Sequence, residues 1–225
     1  MTKLSHAEAV GTIFPKRVTD PTTTRILKPG GYNKKLGSVV TKGLHTGAAI
    51  WSLSLEERAT CPRECKLWRE CYGNNMQWAQ RIDHRHPAFF PQLSREIDEI
   101  CSASVKVQMR LHVLGDFYSL EYVDFWREKL QQHSNLNAFG YTANPLIGTI
   151  GMRIRMLTVE FGWSRWALRF SGLERNDFGA VVHKPGDPPA NHETFSCPEQ
   201  QGKVKSCAEC GACWNWSKTV QFVQH

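Results

Sequence analysis

The sequence contains no apolar run approaching the length that crosses a bilayer, and its opening, MTKLSHAEAV, contains no apolar leader segment. A soluble, unexported, cytoplasmic chain without membrane partners is therefore expected. Internal repeats and low-complexity tracts are also missing. At 225 residues there is room for one sizeable α/β domain, alone or with a small appendage, and no room for two large ones. Acidic side chains are scarce relative to basic ones, 21 against 28, and the deficit is uneven. Residues 1–45 carry eight basic side chains (Lys3, Lys16, Arg17, Arg25, Lys28, Lys34, Lys35, Lys42) against Glu8 and Asp20, so the remainder is nearly neutral. Of the net charge of +7, all but one unit thus belongs to an N-terminal arm. Such an arm is a candidate for lying along a phosphate backbone, with folding expected to survive its removal, or it is a solvated tail that wraps its own domain.

What the sequence does have is clustered cysteine. Of eight cysteines, Cys61, Cys65 and Cys71 form one group and Cys197, Cys207, Cys210 and Cys213 another, with Cys101 apart. In a reducing compartment, clustered thiols point to metal rather than to disulfides.

The arm segment PTTTRILKPGGYNKKLG is interrupted by Pro and Gly and reads as extended or loop structure. From position 47 strand-like and helix-like segments alternate, beginning with AAIWSLSL ahead of the first cysteine group. Residues 91–104 read as a helix in which Leu93, Ile97, Ile100 and Cys101 share one apolar stripe, so Cys101 is assigned to the core. VQMRLHVLGDF reads as a buried strand entering a loop. Ser119 then caps a helix through residue 133 whose apolar face is Leu120, Val123, Trp126 and Leu130. NAFGYT is a third strand, and Asn144-Pro145 opens a helix carrying Ile147, Ile150, Ile154 and Leu157. RWALRF and GAVVH are further strands.

This alternation implies βαβ units and an α/β fold: a partial (βα) barrel or curled parallel sheet, with a basic N-terminal arm (1–45), a core (46–190) and a C-terminal cysteine-rich segment (191–225) packed on it. Reactive groups then gather at the C-terminal ends of the strands. Those ends hold the first cysteine loop, Gly115 and Asp116, Tyr141 and Thr142, and Arg169 and Ser171.

In the second group, Cys207, Cys210 and Cys213 repeat as C-x2-C-x2-C, the spacing by which ferredoxins wrap a short loop around a 4Fe-4S cube. Cys197, followed by Pro198, is the nearest fourth thiolate, and Gly211 allows close backbone approach. Structural zinc is the rival; it prefers two separated C-x2-C pairs. The first group, C-x3-C-x5-C, offers three thiolates and leaves one iron open to another ligand, as a catalytic cluster requires. Alternatively, both groups share a single cluster. His84 and His86 either complete a metal site or are solvated or hydrogen-bonded, and His112, two residues after Arg110 on the same strand face, is an active-site candidate or a satisfied interior histidine.

The order of these parts resembles that of the radical S-adenosylmethionine enzymes: a first strand running into a three-cysteine loop that ends Cys71-Tyr72, a second strand ending LGD, a third ending YTAN. The resemblance implies S-adenosylmethionine on the open iron, with Gly115 and Asp116 near its amino group. Closer still, TCPRECKLWRECYG, RLHVLGDFYSLEYVDFW, FGYTAN, then CP and CAECGACW in succession resemble the gene product eighty-eight family of phages and mobile elements, over residues 60–214. Two functions stand open. One is an enzyme acting on a nucleic acid or nucleotide, with Asp116, Tyr141 and Arg169 lining its pocket and the second cluster auxiliary. The other is a non-enzymatic nucleic-acid-binding or regulatory protein braced by clusters, with some of its eight Trp as stacking platforms.

Overall fold

The computed structural model describes residues 9–172, 178–184 and 194–223. Its elements in chain order are β1 (Val18–Thr19), β2 (Lys28–Pro29), β3 (Ala49–Ser52), β4 (Arg81–Ile82), α1 (Phe89–Ala103), β5 (Val107–Leu111), α2 (Leu120–Gln132), β6 (Leu136–Thr142), α3 (Thr149–Phe161), β7 (Trp166–Ser171), β8 (Gly179–His183), β9 (Phe195–Ser196), α4 (Cys207–Cys210), α5 (Ala212–Asn215) and β10 (Val220–Val223). The chain is α/β, with a mostly parallel mixed sheet in the order β2-β3-β5-β6-β7-β8-β10-β9, and β1 pairs with β4 separately. Only β2 runs antiparallel, against β3. The register of β5 on β6, from Val107↔Leu136 to Leu111↔Gly140, aligns the strand ends that carry the LGD and YTAN loops.

Because strand side chains alternate, the sheet has two unlike faces. Val107, Met109 and Leu111 of β5, Leu136 and Ala138 of β6, and Trp166, Leu168 and Phe170 of β7 pack with α1, α2 and α3 in the main core. Their neighbours in sequence, among them Phe139 and Ala167, point the other way and meet Leu36, Val40, Ala208 and Trp214, with Cys207 and Cys213 against them. The second face is thus covered by the N-terminal segment and the cysteine turn, which also bond to each other: Cys207 N donates to Lys35 O (2.7 Å), Ala208 N to Leu36 O (2.9 Å) and Thr41 N to Ala208 O (2.9 Å).

The N-terminal segment is therefore built into the fold from residue 9 onward, and the alternative of a wrapping tail describes it better than a projecting arm. Ile26 and Leu27 are fully buried, and their amides donate to the buried carboxylate of Glu96 at 2.9 and 2.8 Å. Removing residues 1–35 would expose those partners, so the expected survival of folding does not follow from the packing. Part of the basic excess is also engaged: Arg25 pairs with Glu96 and Glu99, and Lys35 with Glu199.

Helix α1 buries Leu93, Ile97, Ile100 and Cys101 as its stripe requires, and Ser119 caps α2 by accepting from Tyr122 N at 3.1 Å. Leu120, expected on the apolar face of α2, is exposed. The helix expected at Asn144-Pro145 begins later, at Thr149, because Asn144 is drawn into a buried polar cluster described below. Gly148 N closes a turn on Pro145 O at 2.9 Å, and Ile147 is left exposed.

Candidate metal centres

The first cysteine loop leaves β3 and lies over the C-terminal ends of the strands. It is seated by Gly115, whose φ of 84° favours glycine and whose added Cβ would meet Leu55 Cβ and Thr60 Oγ1, each at 2.7 Å. Thr60 Oγ1 donates to Glu56 O (2.8 Å) and accepts from Asp116 N (3.1 Å), so the residue before Cys61 is fixed to the end of the second parallel strand. Turns close inside the loop: Cys65 N donates to Pro62 O, Trp68 N to Cys65 O and Asn74 N to Cys71 O. Behind it stands a buried ion pair in which Arg81 meets Glu57 through two bonds of 2.9 Å; Arg81 also donates to Gly73 O, Met76 O and Ala79 O. Lys66 Nζ reaches Gly172 O, just past β7, at 3.5 Å.

Burial pushes each thiol of this loop above the usual cysteine range. The Asp116 charge adds to the effect on Cys61 and Cys65, and so does Cys71. One backbone amide opposes it at each sulfur, from Arg58 at Cys61, Leu67 at Cys65 and Gly73 at Cys71. The three sulfurs therefore share one electrostatic site, and each has a donor that favours its anionic form.

In the second group, Ser206 caps α4, Gly211 turns the chain in the left-handed region (φ 66°), and α5 follows at once. A Cβ on Gly211 would stand 2.6 Å from Asn215 Nδ2, so glycine here serves the tight link between the two turns. Cys197 follows β9, its amide donating to Gln221 O at 2.9 Å. Burial raises Cys197, Cys207 and Cys210, and Cys213 acts on all three, which makes these four a second electrostatic group.

Asp116 is buried. Its Oδ1 accepts from Phe117 N (2.7 Å), Thr142 Oγ1 (2.7 Å) and Asn144 Nδ2 (3.2 Å), and its Oδ2 from Ala143 N (2.6 Å). Its pKa is pushed up to about 6 by burial, against these donors. It ties the LGD and YTAN loops together, and among the described residues Oδ2 has a single donor. Tyr141 belongs with the second group, its hydroxyl 3.1 Å from Cys213 Sγ. Arg169, fully buried, clamps the backbone after that group, donating to Cys213 O, Trp216 O, Ser217 O, Lys218 O and Gly179 O. The expected pocket residues are thus divided: Asp116 acts on the first group, Tyr141 and Arg169 on the second.

His112 is an interior histidine. At φ 56° the strand has ended, so it does not share a face with Arg110; it turns into the main core, Nε2 3.0 Å from Tyr122 OH and its ring edge-on to Phe117. His84 packs on Tyr118, and His86 Nδ1 accepts from Ala88 N, with Nε2 3.5 Å from Asp20. Neither joins a cysteine group.

Among the described residues, no three His, Cys, Asp or Glu side chains converge closely enough to hold one metal ion. Among the described residues, buried polar atoms without partners occur in the main core, at Tyr118 and Trp126, and also beside both cysteine groups. Beside the first loop these are Arg58 Nε, Arg58 Nη1 and Trp68 Nε1; on the side of the second group they are Trp163 Nε1, Trp214 Nε1 and Arg169 Nε. Buried donors are normally paired, and sulfides and thiolates of a cluster would serve as acceptors. Sequence reasoning missed Arg58, Trp68 and Arg110. The charge of Arg110 acts both on Tyr72, next to Cys71, and on Cys207, and its guanidinium lies 4.6 Å over the Tyr141 ring. Nothing in the cysteine spacing flags these three. No family model, no curated protein and no solved structure matches this chain.

Proposed function

We propose that the chain is an iron-sulfur protein in which Cys61, Cys65 and Cys71 hold an open 4Fe-4S cluster, Cys197, Cys207, Cys210 and Cys213 hold a second, and the open site binds S-adenosylmethionine for chemistry on a nucleic acid or nucleotide. The observation that carries this is the first loop itself: three half-buried thiols over the C-terminal ends of a parallel sheet, with buried donors beside them that have no acceptor among the described residues. The cluster would supply one-electron chemistry when bound. The chain's own residues supply the ligands, the backbone amides that favour thiolate, and an acidic group, Asp116, whose Oδ2 has a single donor among the described residues.

The test is the electron paramagnetic resonance signal of dithionite-reduced protein with and without S-adenosylmethionine. The ligand should perturb the signal of the wild type and of a folded Cys210→Ser variant, and leave that of Cys65→Ser unchanged. An unperturbed wild-type signal contradicts the open-site reading.

A second reading, a nucleic-acid-binding protein braced by its clusters, is favoured by Trp78. This indole is 76 % exposed, with Arg17 4.9 Å over the ring and Lys16 exposed nearby in sequence, a combination suited to stacking on a base beside a phosphate.

A further inference from the structure

Arg58 has an arrangement that no partner among the described residues accounts for. Its backbone lies in the left-handed region at φ 65°, uncommon for a residue with a side chain, and the residue is only 3 % exposed. One nitrogen of its guanidinium is anchored across the loop: Nη2 donates to Trp68 O at 3.2 Å and to Asn74 Oδ1 at 2.6 Å. The other two, Nε and Nη1, are buried and meet no acceptor. The adjacent carboxylate, Glu57, is engaged by Arg81 and by Thr12 Oγ1 (2.7 Å), and no ion pair among the described residues includes Arg58. A buried cation without a counter-ion is strongly disfavoured.

The anions it could serve are the thiolates of the same loop. Both anchors of its guanidinium belong to the loop that carries the three thiols: Trp68, whose amide donates to Cys65 O, and Asn74, whose amide donates to Cys71 O. The guanidinium is therefore fixed to the loop that carries all three thiols. A brace between Trp68 and Asn74 would need Nη2 alone.

We propose that Arg58 is the built-in counter-ion and hydrogen-bond donor of the anionic group held by Cys61, Cys65 and Cys71, and that it sets how readily that group accepts an electron. The inference rests on the functional reading above. A cluster bound by three thiolates carries net negative charge and gains one more on one-electron reduction by a donor such as dithionite. A fixed cation beside it favours the reduced form. Arg58 is a positioning and tuning residue and touches no substrate in this role.

The experiment is a redox titration of the full anaerobic chain, followed by electron paramagnetic resonance, for wild type, Arg58→Gln, Arg58→Lys and Asn74→Ala. Arg58→Gln should lower the reduced-to-oxidised ratio of the first-loop signal at fixed potential about tenfold, a downward shift of ~59 mV for one electron, and leave the second signal in position. Arg58→Lys, which keeps the charge, should recover part of the shift. Asn74→Ala, which removes one of the two anchors of the guanidinium and leaves the bond to Trp68 O, should shift the same signal in the same direction by less. An iron-replete Arg58→Gln protein with an unmoved potential overturns the proposal, as does an equal shift in the Gln and Lys variants. If Arg58→Gln does not retain iron, Asn74→Ala decides: a downward shift of the first signal alone supports the proposal, and an unmoved signal overturns it. Wild-type protein without iron overturns the functional reading first and this inference with it, an outcome distinct from an iron-replete protein that ignores Arg58.

Discussion

The hydroxyl of Tyr141 lies 3.1 Å from the sulfur of Cys213, joining β6 to α5 across the second face of the sheet. A hydrogen bond to a ligating thiolate withdraws charge from it and raises the potential of what it binds. Tyr141→Phe should therefore lower the potential of the proposed second cluster by on the order of tens of millivolts and leave that of the proposed first unmoved, with folding preserved. Redox titration with the two signals resolved checks this; a shift in the first signal would mean that Tyr141 acts on the open site after all.

Asp116 is the polar centre of the two strand-end loops. In Asp116→Asn, one oxygen that accepts N–H and O–H donors becomes an NH2 that faces them, and the loss should be about 2–3 kcal/mol. Thr142→Val, which removes the donor to Asp116 and the acceptor of Asn144 N and Nδ2, should cost about 1–3 kcal/mol. Chemical denaturation measures both. Near wild-type stability of both variants would show that the cluster of bonds does not hold the loops.

These two residues also show how far the sequence was legible. Short apolar runs and the helical stripe of Leu93, Ile97, Ile100 and Cys101 find the strands and α1 because both are buried by the residues that compose them. Asn144-Pro145 misleads, since a local capping signal cannot reveal that Asp116, 28 residues earlier, supplies a buried acceptor for the same amide. Arg169 misleads in the same way: its position at a strand end suggests a pocket, while its partners are carbonyls near position 216, visible only once β7 and β10 lie in one sheet. The basic segment reads as an arm because charge is visible in sequence and the buried pair Ile26-Leu27 within it is too short to form a periodic signal.

His112 should make the protein acid-sensitive. Burial depresses its pKa from 6.5 to about 3, so the unfolded chain binds a proton that the folded chain refuses in that window. The stability contribution is present above pH 6.5 and is lost as pH falls toward 3, in total a few kcal/mol at ~1.4 kcal/mol per pKa unit. Asp116, raised to about 6, acts oppositely between its ordinary 3.8 and 6, and this cancels when variants are compared. His112→Asn, which keeps a residue tolerant of φ 56°, should show a shallower loss of stability from pH 6.5 to 4 than wild type. Parallel pH profiles would contradict the assignment of a neutral buried imidazole.

The most direct test of the central claim is the metal and sulfide content of full-length chain isolated without oxygen. Two clusters require about eight iron atoms and as much acid-labile sulfide per chain, and one shared cluster about four of each, with a visible absorption shoulder that bleaches on addition of dithionite. Cys65→Ser should remove about four iron atoms and leave the second group loaded. Stoichiometric zinc without acid-labile sulfide would contradict the iron-sulfur account outright.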